Sequence, residues 1–113
     1  MAVRTFAAID VGSFELELGI YEMTYKTGIR RIDHVRHVIA LGKDTYSTGK
    51  ISYELVEEMC QVLEEFVQIM KSYKVKDYRA YATSAMREAH NRQIILDQIR
   101  VRLSLIHISE PTR

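Results

Sequence analysis

Residues 3–24 read VRTFAAIDVGSFELELGIYEMT, two strand-like runs joined by a short glycine turn. The first run, Val3 to Asp10, is apolar, rich in β-branched and aromatic side chains, and bounded by Gly12. That composition suits a largely buried strand. From Phe14 the pattern alternates. Phe14, Leu16, Leu18 and Ile20 point one way, while Glu15, Glu17 and Tyr21 point the other. Alternation of this kind marks a half-buried strand, and the short Asp-Val-Gly-Ser link makes the pair a hairpin.

Beyond the hairpin, Gly28 punctuates the chain and Ile29 to Leu41 reads as a third strand, with Ile32, His34, Arg36 and Val38 on one face. Gly42 to Lys50 is polar and rich in Gly, Ser and Thr, so a loop is expected there. Ser52 is then placed as a helix N-cap with Glu54 near the positive end of the helix dipole. Leu55, Met59, Val62, Phe66 and Met70 recur at three- and four-residue intervals, and Glu57, Glu58, Glu64 and Glu65 fall off that stripe. The pattern predicts an amphipathic helix covering a sheet, its methionines serving as core packing. Tyr78 to Thr83 is a short strand, Ser84 a turn, and Ala85 to about Arg102 a second helix with Met86, Ile95 and Ile99 facing inward. The expected order is β-β-β-α-β-α, an α/β fold.

Composition narrows the function. The chain has 113 residues and a net charge of +1, so no global field favours nucleic acid or an anionic membrane. Any polyanion must be held by a local arrangement of groups. Cys60 is the single cysteine, which rules out an internal disulfide or a multi-cysteine metal site; its apolar neighbours suggest a buried, inert thiol. The N-terminal apolar run is too short for a signal peptide or a membrane span, so a cytoplasmic protein is expected. The histidines show no metal-ligand spacing, and His34 and His37 should face opposite sides of their strand. Tyr73, Tyr78 and Tyr81 are expected to line a core edge.

Two short motifs carry possible chemistry. Ile9-Asp10-Val11-Gly12-Ser13 places an acid at a strand end before a glycine turn. Gly12 permits close backbone approach, and the N–H groups that follow can cradle phosphate oxygens. Asp10 can hold a magnesium ion or orient an attacking water. The same string also describes an ordinary hairpin turn. In Ala82-Thr83-Ser84-Ala85-Met86-Arg87-Glu88-Ala89 a strand end opens into a helix, whose N-terminus attracts anions, and Arg87 can grip a phosphate bidentately. The plain alternative makes Thr83 or Ser84 a helix cap and Arg87 a solvated side chain.

Taken together, IDVGS, Leu41-Gly42, Gly49-Lys50-Ile51-Ser52 and ATSAMREA with Asn91 resemble the exopolyphosphatase and guanosine pentaphosphate phosphohydrolase (Ppx/GppA) family. The resemblance covers residues 5 to about 102, with ATSAMREA as its most specific element. It implies the first subdomain of an actin-like, ribonuclease-H-like fold. It also implies a Mg2+-dependent phosphohydrolase releasing terminal phosphate from inorganic polyphosphate or guanosine pentaphosphate. By resemblance, Gly12, Ser13, Ser84 and Arg87 would bind phosphate and Asp10 the metal. The general base would lie beyond Arg102. No nucleic-acid or membrane partner is implied, and a homodimer of the full-length parent is compatible with it. One departure stands out. The family loop typically continues Gly-Ser-Asn-Ser-Phe, whereas here Ser13 is followed directly by Phe14 and Glu15. Either Glu15 sets a negative charge where a polyanion approaches, or it points away and costs nothing. The first case motivates the alternative of a non-catalytic polyphosphate- or nucleotide-binding regulator of the same fold. A sugar kinase of the actin-like class is a more distant option.

The last stretch, Leu103 to Arg113 (LSLIHISEPTR), resembles a translated frame of a sequencing-library transposase adapter, residue for residue. Residues 1–102 are accordingly expected to be the N-terminal fragment of a phosphatase domain, and 103–113 a non-native tail. His107, Ser109 and Glu110 are therefore set aside as catalytic candidates. A fragment of this kind is expected to be inactive in hydrolysis and marginally stable.

Overall fold

The computed structural model describes residues 3–82, 88–103 and 108–109. The glycine turn does what the hairpin pattern demands. Strands β1 (Arg4–Val11) and β2 (Glu15–Thr24) pair antiparallel, with Val11 opposite Leu16 and Arg4 opposite Met23. Strand β3 (Gly28–Val38) adds antiparallel to β2, β4 (Asp77–Ala82) lies parallel to β1, and the two-residue β5 (Ile108–Ser109) lies parallel to β4. The sheet order is β3-β2-β1-β4-β5.

Alternation sorts the two faces. Ala7, Ile9 and Val11 of β1, Leu16, Leu18 and Ile20 of β2, and Ala80 and Ala82 of β4 are all buried on one side. Helix α2 (Tyr53–Ser72) lies over them, contributing Val56, Met59, Cys60, Val62, Leu63, Phe66, Val67 and Met70 to the core. The N-cap expectation holds: the Ser52 side chain accepts the Leu55 N–H at 3.3 Å. Cys60 is buried within this cluster as a small apolar side chain. Helix α3 (Arg92–Leu103) adds Ile95 and Ile99 to the same core. Burial of a large aliphatic or aromatic side chain is worth about 1.5–3 kcal/mol, so this one-sided core is what holds the sheet and helices together.

Five expectations need correction. The second helix, expected to run from Ala85, is broken by a turn at His90 and Asn91, and α3 starts only at Arg92. The segment expected as a polar loop contains helix α1 (Leu41–Thr48). Leu41 and Thr45, one turn apart, are both buried, and the Thr45 hydroxyl is satisfied by the Leu41 carbonyl at 3.3 Å. Tertiary anchoring thus overrides a weak helix propensity. Phe14 does not join Leu16, Leu18 and Ile20; β2 begins one residue later and the Phe14 side chain is 58% exposed. The β2–β3 register shifts between Ile20 and Tyr21 of β2, leaving Ile32 of β3 without a cross-strand partner. This bulge turns Ile32 toward the core beside Val35, while His34 and Arg36 face the other way. Tyr78 lines the core as expected, but Tyr81 is exposed on the helix-free face and Tyr73 lies at the surface. The face expectation for the histidines holds, because His34 meets Glu17 on one side and His37 meets Glu58 of α2 on the other. Met86 lies outside the described residues.

Candidate phosphate-binding site

Strands β1 and β4 are parallel and adjacent, with Val11 directly opposite Ala82. Their C-terminal ends therefore open at the same edge of the sheet. One releases Gly12 and Ser13; the other leads into the segment carrying Ser84 and Arg87. Ser84 and Arg87 themselves lie outside the described residues; what meets at the common edge is the Gly12 loop and the end of β4 at Ala82.

The first loop is tight. The Gly12 N–H donates to the Glu15 carbonyl at 2.8 Å, closing the turn. A Cβ on Gly12 would sit 3.0 Å from that same oxygen, closer than ordinary contact allows. Two further carbonyls of the loop are occupied by the chain that follows β3: Ser13 accepts the Gly42 N–H at 2.7 Å, and Phe14 accepts the Ile39 N–H at 3.0 Å. The Ser13 hydroxyl lies 3.2 Å from the Tyr46 hydroxyl of α1. Glycine, a short linker and a packed helix thus fix the loop in place.

Asp10 projects from the helix-free face of the sheet, opposite Glu17 on β2 and Tyr81 on β4. Its carboxyl is pushed above the ordinary value of 3.8, first by desolvation and then by the charges of Glu17 and Glu15. Glu15 neither points away from this face nor stands unopposed: Arg36 pairs with it, and His34 stands 3.3 Å from Glu17. Among the described residues no group of three or more His, Cys, Asp or Glu is arranged to hold a metal ion. A lone carboxylate such as Asp10 would suit a magnesium ion only where most of the remaining ligands came from phosphate oxygens and water. A cation there would also offset the charge that raises the Asp10 carboxyl.

A second connection reaches this edge from behind. Gly49, with φ of 80°, caps α1 and accepts the His90 N–H at 2.6 Å. The Asn91 side chain then pairs with the Ile51 backbone in both directions, Nδ2 donating to the Ile51 carbonyl at 3.0 Å and Oδ1 accepting the Ile51 N–H at 3.2 Å. This explains why Gly49-Lys50-Ile51-Ser52 and Asn91 belong to one constellation: they clip the segment after α1 to the segment following Arg87. Sequence reasoning missed Tyr46, which carried no signal in a stretch expected as loop.

An α/β sheet with this strand order, with a glycine-tight loop at the shared edge of two parallel strands, is the first subdomain of an actin-like fold. The chain belongs to the Ppx/GppA phosphatase family, whose profile matches residues 20–108. That match contains the whole ATSAMREA segment, begins after the Gly12 loop, and runs into the tail set aside above. Exopolyphosphatase 1 of Mycobacterium bovis is 27% identical over 92 residues, which is 81% of this chain and 27% of that protein. Exopolyphosphatase 1 of Mycobacterium leprae is 28% identical over 110 residues, 93% of this chain and 32% of that protein. The crystal structure of the Aquifex aeolicus member of the Ppx/GppA family superposes with a TM-score of 0.89 at 27% identity, covering 97% of this chain and 36% of that one. The chain therefore spans about a third of the length of the relatives it matches. No described helix is long and apolar enough to cross a membrane.

Proposed function

We propose that the chain supplies the first phosphate-binding part of a magnesium-dependent phosphohydrolase that releases terminal phosphate from inorganic polyphosphate or guanosine pentaphosphate. The observation that supports this reading is that the strand ending in the IDVGS motif and the strand leading into ATSAMREA end side by side, with Val11 opposite Ala82. With the Gly12 N–H held by the Glu15 carbonyl, the Ser13 hydroxyl and the backbone N–H groups that follow Gly12 would bind phosphate oxygens, joined by Ser84 and Arg87 from the segment after β4. Asp10 would hold the magnesium ion, which when bound neutralises phosphate charge during transfer. Phosphoryl transfer depends on positioning and charge stabilisation more than on covalent participation of the protein, so a rigid loop is the part this chain needs to provide. Turnover is assigned to a protein of the relatives' full length, with its general base beyond Arg102.

A second reading is favoured by the exposed Phe14 and the acidic Glu15 beside the loop: a binder of polyphosphate or nucleotide that does not hydrolyse it. The two part in one experiment. The parent protein, extended to the length of its relatives, is incubated with inorganic polyphosphate in the presence of Mg2+ or EDTA, and both binding and phosphate release are measured. Magnesium-dependent release supports the hydrolase. Binding without release selects the regulator, and neither binding nor release sinks both.

A further inference from the structure

The first loop does not stand alone; α1 is fastened to it. A Cβ on Gly42 would lie 2.9 Å from the Tyr46 ring, 3.1 Å from the Ser13 Cβ and 3.4 Å from the Phe14 ring. Helix and loop therefore meet with no room for a side chain between them. The Gly42 N–H to Ser13 carbonyl bond of 2.7 Å locks that contact, and it sets the Tyr46 hydroxyl 3.2 Å from the Ser13 hydroxyl. We propose that Tyr46 is a positioning residue for the first anion loop: its hydroxyl donates to Ser13 Oγ and so directs the Ser13 proton onto a bound phosphate oxygen. This deepens the phosphate-loop reading above and rests on it.

The physical argument turns on direction. Either hydroxyl of the pair can donate, so the bond alone does not fix its own direction. A phosphate oxygen only accepts. Once it takes the Ser13 proton, Ser13 can only accept from Tyr46, and the chain acquires a single sense from Tyr46 through Ser13 to phosphate. Hydrogen bonds in series polarise one another, and a bond to an anion is roughly twice as strong as a neutral one. No proton leaves its oxygen in this arrangement; it is a device for binding. The placement of Tyr46 comes from its own helix, because Leu41 and Thr45 on the buried side of α1 fix which side faces the loop. The Tyr46 side chain is 56% exposed, so loss of its hydroxyl alone removes no core packing.

The test uses the 113-residue chain and inorganic tripolyphosphate with Mg2+, with affinity measured by calorimetry and stability by thermal melting. Four proteins are compared: wild type, Tyr46→Phe, Ser13→Ala and the double variant. Tyr46→Phe should weaken binding roughly three- to ten-fold and leave the melting temperature unchanged. The double variant should bind no more weakly than Ser13→Ala alone, because Tyr46 acts only through Ser13. Full additivity, an unaltered affinity in Tyr46→Phe while Ser13→Ala is impaired, or a parallel loss of melting temperature would each overturn the positioning role while leaving the loop reading intact. No binding by wild type, or no effect of Ser13→Ala, would overturn the loop reading and this inference with it.

Discussion

Asn91 shows how much one side chain can fasten. Its amide takes both the N–H and the carbonyl of Ile51, the way a neighbouring strand would, and thereby ties the segment after α1 to the segment after Arg87. Replacing Asn91 with Ala removes both partners from a part-buried backbone. Leaving such groups unsatisfied costs about 1–3 kcal/mol, and thermal or urea melts of Asn91→Ala should show a loss of that size; an unchanged midpoint would mean water replaces the amide at no cost. Asp10 argues in the opposite direction. Its carboxyl is raised by desolvation and by Glu17 and Glu15, so its ionised form works against the fold at neutral pH. Asp10→Asn should melt at a higher temperature than wild type at pH 7 while losing Mg2+-dependent tripolyphosphate binding, the usual opposition of stability and function at a charged site. A lower melting temperature would show that Asp10 stabilises the fold and that the acidic neighbours do not strain it. At this scale the sequence was informative where chemistry demands a residue type. Gly12 and Asp10 stand out in IDVGS because a tight turn and an acid at a strand end have physical reasons to be there. Tyr46 does not stand out, since its role depends on where α1 packs and not on its neighbours in the chain.

At the scale of elements, the legible parts are those whose burial is periodic. The α2 stripe and the β2 alternation could be read directly, because each side chain's fate follows from a fixed angular step along the element. Helix α1 could not. Among its residues with described burial, Leu41, Gly42 and Thr45 are buried, too few to set up a period, and its reason to exist lies in contacts with the Ser13–Phe14 loop. The β3 bulge at Ile32 escaped for a related cause: one extra residue shifts every later side chain to the other face, and nothing in the local composition announces it. Elements also join through titratable pairs. The Tyr73 hydroxyl at the end of α2 donates to Asp33 of β3 at 2.7 Å. That bond, with the His34 N–H, holds the Asp33 carboxyl below its ordinary 3.8, and the same bond raises the Tyr73 phenol above its ordinary 10.0. The Asp33 contribution is present above pH 3.8 and is lost as pH falls through the lowered carboxyl value. The Tyr73 contribution is present below pH 10.0 and is lost as pH rises through the raised phenol value. The stability difference between wild type and Tyr73→Phe should therefore form a plateau between these limits and vanish on both sides in melts taken across pH. A difference that persists unchanged in strong acid would place its origin in ring packing and not in the bond.

For the molecule as a whole, the decisive feature is that α2 and α3 lie on the same side of the sheet. The other face carries two kinds of surface. Toward the Gly12 end it is charged, with Asp10, Glu15, Glu17, His34 and Arg36. Toward the opposite end Phe6 stacks on Tyr21 with ring centroids 5.3 Å apart, and a depression of about 330 Å³ is lined by Phe6, Met23 and Ile29 together with Arg4, Asp77 and Arg79. Ile29 at its rim is 64% exposed. The exposed apolar side chains among them, with no described helix above, favour association in water. The chain should therefore self-associate as concentration rises, and sedimentation velocity should show the weight-average mass climbing. Ile29→Lys places a charge at the rim without entering the core, so it should suppress that association while leaving the melting temperature near wild type. If the lysine variant associates as strongly as wild type, the contact lies elsewhere. If it is monomeric but melts much lower, Ile29 packs within the fold more firmly than its exposure implies. The separation of the two effects is expected because Ile29 is exposed at the rim and is no part of the buried core, so a charge placed there meets solvent and not the packing under α2.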